Sequence, residues 1–174
     1  MQKPESSPDT FLATRFGLGG GDLTATLNGA LERRADFADL YFELRENAHV
    51  SLEEGIVKRA TSSISQGVGV RVLAGEKTGF AYSDDVSVDS LALAARSARA
   101  IADGNGSAQP VPVSTRPARP TADLYPVPEN GVSRPLPERI DLLEAIDREA
   151  RAFDPRISNV MANVAVEELS LIHI

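Results

Sequence analysis

The chain contains no cysteine and no tryptophan, only two histidines, and 5% aromatic residues among its 174. Without cysteine there are no disulfides, no Cys-ligated zinc and no thiol catalysis, and nothing in the composition calls for an oxidising compartment. Positive charge is also short. Lys and Arg number 18 against 25 Asp and Glu, a formal net charge of −7, so the overall balance lacks the basic face that phosphate backbones require, and nucleic acid is not an expected partner. No run approaches the roughly 18 apolar residues of a membrane helix. The opening MQKPESSPDT has no apolar h-region of a signal peptide. The expectation is a cytoplasmic protein without a membrane partner.

What is present is ordinary globular usage, 42% hydrophobic and 25% charged, in a length that suits one domain with tails. Residues 1–21 read as a disordered leader ending in the flexible joint GLGGG at Gly17 to Gly21, and the α+β domain is expected over 22–168. Asp22 is placed to cap a short helix carrying Leu23, Leu27, Ala30 and Leu31. The period then changes to two. Leu40, Phe42 and Leu44 form one face of a strand, with a polar break expected around Asn47 and a turn at Glu53-Glu54-Gly55. Ile56 to Ser65, Val68 to Val72 and Thr78 to Tyr82 read as three further strands, the last two joined by a tight hairpin at Ala74-Gly75-Glu76-Lys77.

Asp84, Asp85 or Ser87 is expected to cap a helix whose stripe is Val88, Leu91, Ala95, Ala98 and Ile101. Eight of the eleven prolines fall between Gly104 and Pro137, so 104–137 reads as an extended, exposed excursion. A helix then starts near Pro137-Glu138 with Ile140, Leu143, Ile146, Ala150 and Phe153 on one face, and Val160 to Val166 alternates as a strand. The fold class expected is α+β, a mostly antiparallel sheet of about five strands with two to three helices packed on it.

The last six residues, LSLIHI at Leu169 to Ile174, match what the string CTG TCT CTT ATA CAC ATC would encode, which resembles the transposase end used in preparing sequencing libraries. The native sequence is therefore expected to diverge after Glu168. On that expectation 169–174 is a non-native tail and His173 is foreign.

Candidate chemistry is thin. The glycine-rich QGVGVRVLAGEKTGFAYSDD, Gln66 to Asp85, invites a phosphate-loop reading, but five residues separate Gly69 from Gly75 and Glu76 intrudes before Lys77-Thr78, so the P-loop spacing fails. Gly67 and Gly69 lie inside a strand pattern, not between a strand and a helix as a dinucleotide fingerprint needs. There they suggest a bulge or the close approach of another backbone. His49 has no second histidine at a ligand spacing and reads as a solvated loop residue. The acidic pairs Glu53-Glu54 and Asp84-Asp85 sit where turns and helix starts favour carboxylates. Ser62, Ser63 and Ser65 lack a neighbouring base. No catalytic, cofactor-binding or metal-binding residue is assigned.

Two segments together, ADFADLYFE at Ala35 to Glu43 and QGVGVRVLAGEKTGFAYSDD, joined by LEEGIVKRATSSIS, resemble the N-terminal domain of the TldD/PmbA family, nearer its TldD branch. The resemblance covers about Asp22 to Ile101 and, more loosely, Glu138 to Glu168. It implies a subunit of a cytoplasmic zinc metalloprotease that degrades or trims unfolded peptides and pairs with a paralogous, metal-free subunit. The family's zinc motif is a His-Glu-x-x-x-His helix in a C-terminal domain, and that motif occurs nowhere in these 174 residues. No ligand or general base is carried over to any position here, so this stretch by itself is expected to be inactive. The alternative is a self-standing, non-enzymatic α+β module that binds peptides or proteins. A third reading, weaker on the motifs, is a small-ligand domain built on the glycine-rich hairpin.

Overall fold

The computed structural model describes residues 8–32, 35–103 and 131–174. In chain order the elements are helices α1 (Pro8–Phe16) and α2 (Gly20–Leu31), strands β1 (Phe37–Glu53), β2 (Ile56–Ala74) and β3 (Lys77–Ser83), helices α3 (Val88–Ile101) and α4 (Leu136–Phe153), and strand β4 (Met161–His173). The strands form one sheet in the order β3-β2-β1-β4. The α+β class expected from the pattern is the class found. Most of the proline-rich stretch 104–137 lies outside the described residues.

Turn chemistry fixes the meander. Between β1 and β2 stand Glu54 and Gly55, with φ of 54° and 71°, the two positive values that a type I′ hairpin requires. Between β2 and β3 Gly75 alone has positive φ, 60°, and Ala74 pairs with Lys77 in an antiparallel register. On the other side of β1, Leu40 and Ile174 exchange both backbone hydrogen bonds, at 2.8 and 2.9 Å, and the Glu54 amide donates to the Val160 carbonyl. Partner numbers fall along β4 as they rise along β1, so this pair is antiparallel too.

Glu54 is the one non-glycine residue with positive φ among the described residues. A side chain with a Cβ is strained there, and asparagine tolerates the conformation better. Glu54→Asn is therefore expected to stabilise the fold by about 0.5 kcal/mol, read as a higher denaturant midpoint at unchanged m-value. A lower midpoint would mean that the Glu54 side chain contributes something other than turn geometry.

The chain divides into two compact units. The first comprises the described residues of Met1–Leu44, Gln66–Arg119 and Ser170–Ile174, the second those of Arg45–Ser65 and Pro120–Leu169. In the first, the inward row of β1 and β2, Leu40, Phe42, Val68, Val70 and Val72, packs with Leu23, Leu27 and Ala30 of α2 and with Leu91, Ala94, Ala95 and Ala98 of α3. The alanine stripe lets α3 approach β3 closely, as expected of small side chains on a packing face. Ser87 caps α3, its side chain accepting from the Ser90 amide. In the second unit a small core joins Val50, Leu52, Leu143 and Ala162, flanked by Val57, Ile140 and Val164.

Four local expectations are corrected. Residues 8–18, read as leader and joint, form α1 and its terminus. Gly17 takes φ of 69° and its amide reaches the Ala13 carbonyl, while the Leu18 amide reaches the Leu12 carbonyl, an αL stop in which the amide just past the helix bonds back to a carbonyl of its last turn. Leu12 and Leu18 are buried. Asp22 is not the N-cap of α2. Gly19 holds that position, and Asp22 sits three residues on, accepting from the Gly19 amide at 2.8 Å, the reciprocal half of a capping box. The strand expected to end near Asn47 runs on to Glu53, because Ala48, Val50 and Leu52 continue its buried row. The strands expected at Ile56 to Ser65 and Val68 to Val72 are one strand, β2, and the sheet's four strands agree with the expected count of about five.

Candidate functional site

The register of the first unit decides which side chains share its outer face. Val72 pairs with Gly79 and Val70 with Ala81 on the inner face, and Arg71 with Phe80 and Gly69 with Tyr82 on the outer one. Adjacent β1 alternates in step, so Asp39 and Tyr41 point outward beside Leu40 and Phe42 pointing in. The result is an open depression of about 370 Å³ lined by Asp39, Tyr41, Gly69, Arg71, Phe80 and His173. Gly69 leaves room for the Phe80 ring, which would stand 2.9 Å from a Cβ at that position. Phe80 in turn stacks on Tyr82, and the Arg71 guanidinium lies 6.0 Å from the centre of the Phe37 ring, within range of a cation–π contact.

Asp39 is the centre of the site. Its side chain is only 7% exposed on an otherwise open face. Arg71 donates from Nε to Oδ1 at 3.0 Å and from Nη2 to Oδ2, a bidentate pair. His173 Nε2 lies 2.7 Å from Oδ2. Burial opposes the charge on Asp39, and the hydrogen bonds from Arg71 and His173, with the charges behind them, outweigh it, so the carboxyl titrates below its ordinary 3.8.

A carboxyl lowered on folding supplies stability that is complete above its unfolded value and lost as pH falls through the folded one. Asp39→Asn is accordingly expected to lower the melting temperature by about 2–4 °C near neutral pH, and the gap between variant and parent sequence should narrow in melts as the pH falls below the ordinary 3.8 and through the lowered folded value. A gap that stays constant with pH would mean that the loss comes from packing and not from the charge.

Chemically, a carboxylate gripped by a guanidinium can hold a further cation. Among the residues lining the depression there is no serine, threonine or cysteine that an Asp–His pair could activate. The other residues weighed from the sequence lie apart from it. His49 is half-buried within β1, not in a solvated loop, because that strand runs on past Asn47. Glu53 ends β1 and Glu54 forms the turn. Asp85 accepts from the Ser90 hydroxyl at 2.6 Å and the Ser87 hydroxyl at 2.7 Å, bonds that hold its carboxyl below the ordinary range. Ser62, Ser63 and Ser65 are exposed along β2. Gly75 forms the hairpin turn, and Gly67 would place a Cβ 3.1 Å from the Ser83 carbonyl, the close backbone approach expected of a glycine within a strand. Among the described residues no three His, Asp or Glu side chains gather as a metal site would need.

A second depression of about 270 Å³ lies between α2 and α3. Arg99 lines it and donates to the Gly29 carbonyl at 2.6 Å and to the Glu32 carboxylate at 2.7 Å, which satisfies one carbonyl at the C-terminus of α2. It is explained as a helix cap. Among the described residues no helix is long and apolar enough to cross a membrane.

Residues 38–102 match the profile described as PmbA/TldA metallopeptidase domain 1. A protein of Haemophilus influenzae named metalloprotease TldD homolog is 37% identical over 134 residues, 76% of this chain and 27% of that protein. The like-named protein of Buchnera aphidicola from Schizaphis graminum is 32% identical over 154 residues, 88% of this chain and 31% of its own length. The chain thus spans under a third of each of these relatives. Among solved structures, TldE of Thermococcus kodakarensis superposes with a TM-score of 0.60 at 15% identity, over 87% of this chain and 34% of that one. A protein of Bacteroides thetaiotaomicron described as a candidate modulator of DNA gyrase gives 0.63 at 14% identity, over 88% and 36%. These two establish the likeness of fold.

Proposed function

The chain belongs to the TldD/PmbA family, and from that premise we propose that it is the N-terminal, non-catalytic domain of a TldD-like metalloprotease subunit acting on peptides or unfolded proteins. The observation that carries the reading is the match of residues 38–102 to the family's first domain, in a chain spanning under a third of relatives named metalloproteases. Zinc hydrolysis takes about three protein ligands and a base. With two histidines and no cysteine in the sequence, the proposal puts the zinc in a further, C-terminal domain of the parent protein. It also takes the parent to be cytoplasmic and to pair with a paralogous, metal-free subunit.

Within that parent the domain's task is to hold substrate. β3 and β4 are the outermost strands of the sheet, and an extended peptide adds to a strand edge through backbone hydrogen bonds, largely regardless of its sequence. The proposal includes a departure of the native sequence after Glu168.

Two assays on the 174-residue chain test the non-catalytic role. Equilibrium dialysis is expected to find no stoichiometric zinc, and labelled casein is expected to remain uncut with zinc present. Chelator-sensitive cleavage by a preparation homogeneous by mass would overturn the proposal.

A further inference from the structure

β2 is longer than its pairing with β3. That register begins at Val68 with Ser83 and ends at Ala74 with Lys77, whereas β2 itself starts at Ile56. In the order β3-β2-β1-β4 no other strand adjoins that side, so among the described residues the stretch Ile56 to Ser65 has β1 along one edge and no strand along the other. Its side chains are as open as its edge. All but Val57 are exposed, Ile56 at 59% and Ile64 at 58%. The stretch reads IVKRATSSIS, in which Lys58 and Arg59 are the only charges and no acidic residue stands. Adjacent strand residues point to opposite faces, so each face of this edge carries one cation. Neither cationic side chain has an ion pair or hydrogen bond among the described residues.

We infer that the bare edge of β2, from Ile56 to Ser65, takes up an extended peptide segment carrying two adjacent acidic residues. The unpaired N–H and C=O groups of such an edge are a template for a further strand. Backbone bonds hold any extended chain, and the side chains opposite make the choice. Here Lys58 and Arg59 make it. Two neighbouring carboxylates on an added strand also point to opposite faces and so meet one cation each, whereas a basic segment sets like charges against each other across the new ladder. A second copy of this chain is a poor occupant by the same reasoning. Its own IVKRATSSIS brings two more cations and no carboxylate, and cations on an edge are a guard against self-pairing. Ile56 and Ile64 offer an apolar cross-strand contact near each end of the stretch. This inference rests on the substrate-holding reading above and deepens it, naming the edge that is used and the substrate class: extended segments with an acidic pair.

The test uses the full chain and three labelled peptides, TVTSTTEETV, TVTSTTQQTV and TVTSTTKKTV. In an antiparallel pairing each sets its variable dipeptide opposite Arg59 and Lys58 and its two valines opposite Ile64 and Ile56. Anisotropy titrations at low ionic strength are expected to show the glutamate peptide binding about 5-fold tighter than the glutamine peptide and the lysine peptide most weakly, a preference of the size that two exposed ion pairs support. Added salt should shrink it. Lys58→Gln combined with Arg59→Gln, both at exposed positions, should bring the three peptides within about 2-fold of one another. Hydrogen exchange locates the site. Saturating glutamate peptide should protect alternate amides between Val57 and Ser65, since successive N–H groups of a strand face opposite sides, and should leave those of Lys77 to Ser83 unchanged.

Equal affinities for the three peptides, a preference that survives the double glutamine variant, or binding without new protection between Val57 and Ser65 would each overturn the inference. So would protection there that grows with protein concentration in the absence of peptide, which would make a second copy the occupant. The two readings fail separately. Binding that protects β3 or β4 alone removes this inference and leaves the substrate-holding reading in place, whereas no binding of any peptide removes both. Neither readout involves proteolysis, so cleavage by the chain would overturn its non-catalytic role and leave this edge to be judged by its own measurement.

Discussion

Gly79→Ala is expected to destabilise the chain by about 3 kcal/mol or more, enough to remove much of a total that lies near 5–15 kcal/mol for a domain. Gly79 pairs with Val72 in β3 and faces the end of α3. A Cβ built there stands 1.8 Å from the Ala98 carbonyl oxygen, 2.7 Å from the Ala102 amide nitrogen and 2.9 Å from the Ala98 carbonyl carbon. All three are backbone atoms of one turn, held by the Ala102 amide bond to Ala98, so no rotamer change relieves the clash. The helix end must lift, and Ala98, Ala95 and Leu91 lift with it from Val70 and Val72. Alanine in place of glycine within a strand would otherwise gain roughly 0.5–1 kcal/mol in backbone entropy, which makes the sign of the result informative. Chemical denaturation of the variant checks it, and a stability within about 0.5 kcal/mol of the parent sequence would show that α3 does not sit as closely on β3 as described.

Leu143→Ala is expected to cost about 2–5 kcal/mol and to spend it in one unit. Leu143 is fully buried on α4, whereas the other buried members of its cluster are Val50, Leu52 and Ala162. Removing the largest contribution from α4 leaves so small a core without its keystone contact, and local opening follows where apolar burial is least. Hydrogen exchange should show lost protection across residues 45–65 and 131–169 while residues 66–103 retain theirs. The neighbouring Leu142→Ala, at a half-exposed position, serves as the control and should stay within about 0.5 kcal/mol. Equal loss of protection in both units would contradict the independence of the second core.

Where period and turn chemistry agree, the structure follows the sequence closely. The Ala74-Gly75-Glu76-Lys77 hairpin, the Glu53-Glu54-Gly55 turn, the Ser87 cap and the stripe of Leu91, Ala95 and Ala98 were all readable, because each is a local signal with one physical cause. Misreadings arose where one signal admitted two causes. Gly17 and Leu18 read as a joint, although a glycine there is also the αL stop of a helix, and only the burial of Leu12 and Leu18 distinguishes the two. Around Asn47 polar residues suggested a break, while the inward row of Ala48, Val50 and Leu52 carried the strand through it.

On α4 the expected stripe is only partly covered. Leu143 is buried and Ile140 half-buried, but Ile146 is exposed and Phe153 is 87% exposed. Periodicity reports which face is apolar and says nothing of whether a neighbour covers it.

The Asp39 site was not legible. Arg71 is 32 residues away and His173 134 residues away, so only strand register brings them together. One partial signal existed. Asp39 interrupts ADFADLYFE as a charge in a strand otherwise rich in apolar residues, and a charge kept in such a place generally has a partner.

Sequencing the source locus beyond the codon for Glu168, from a library prepared without a transposase, tests the central claim most directly. The expected result is an open frame that departs from LSLIHI and continues into a region containing His-Glu-x-x-x-His. The same six codons followed by a stop would contradict it, since the chain would then be a self-standing module and its last strand its own.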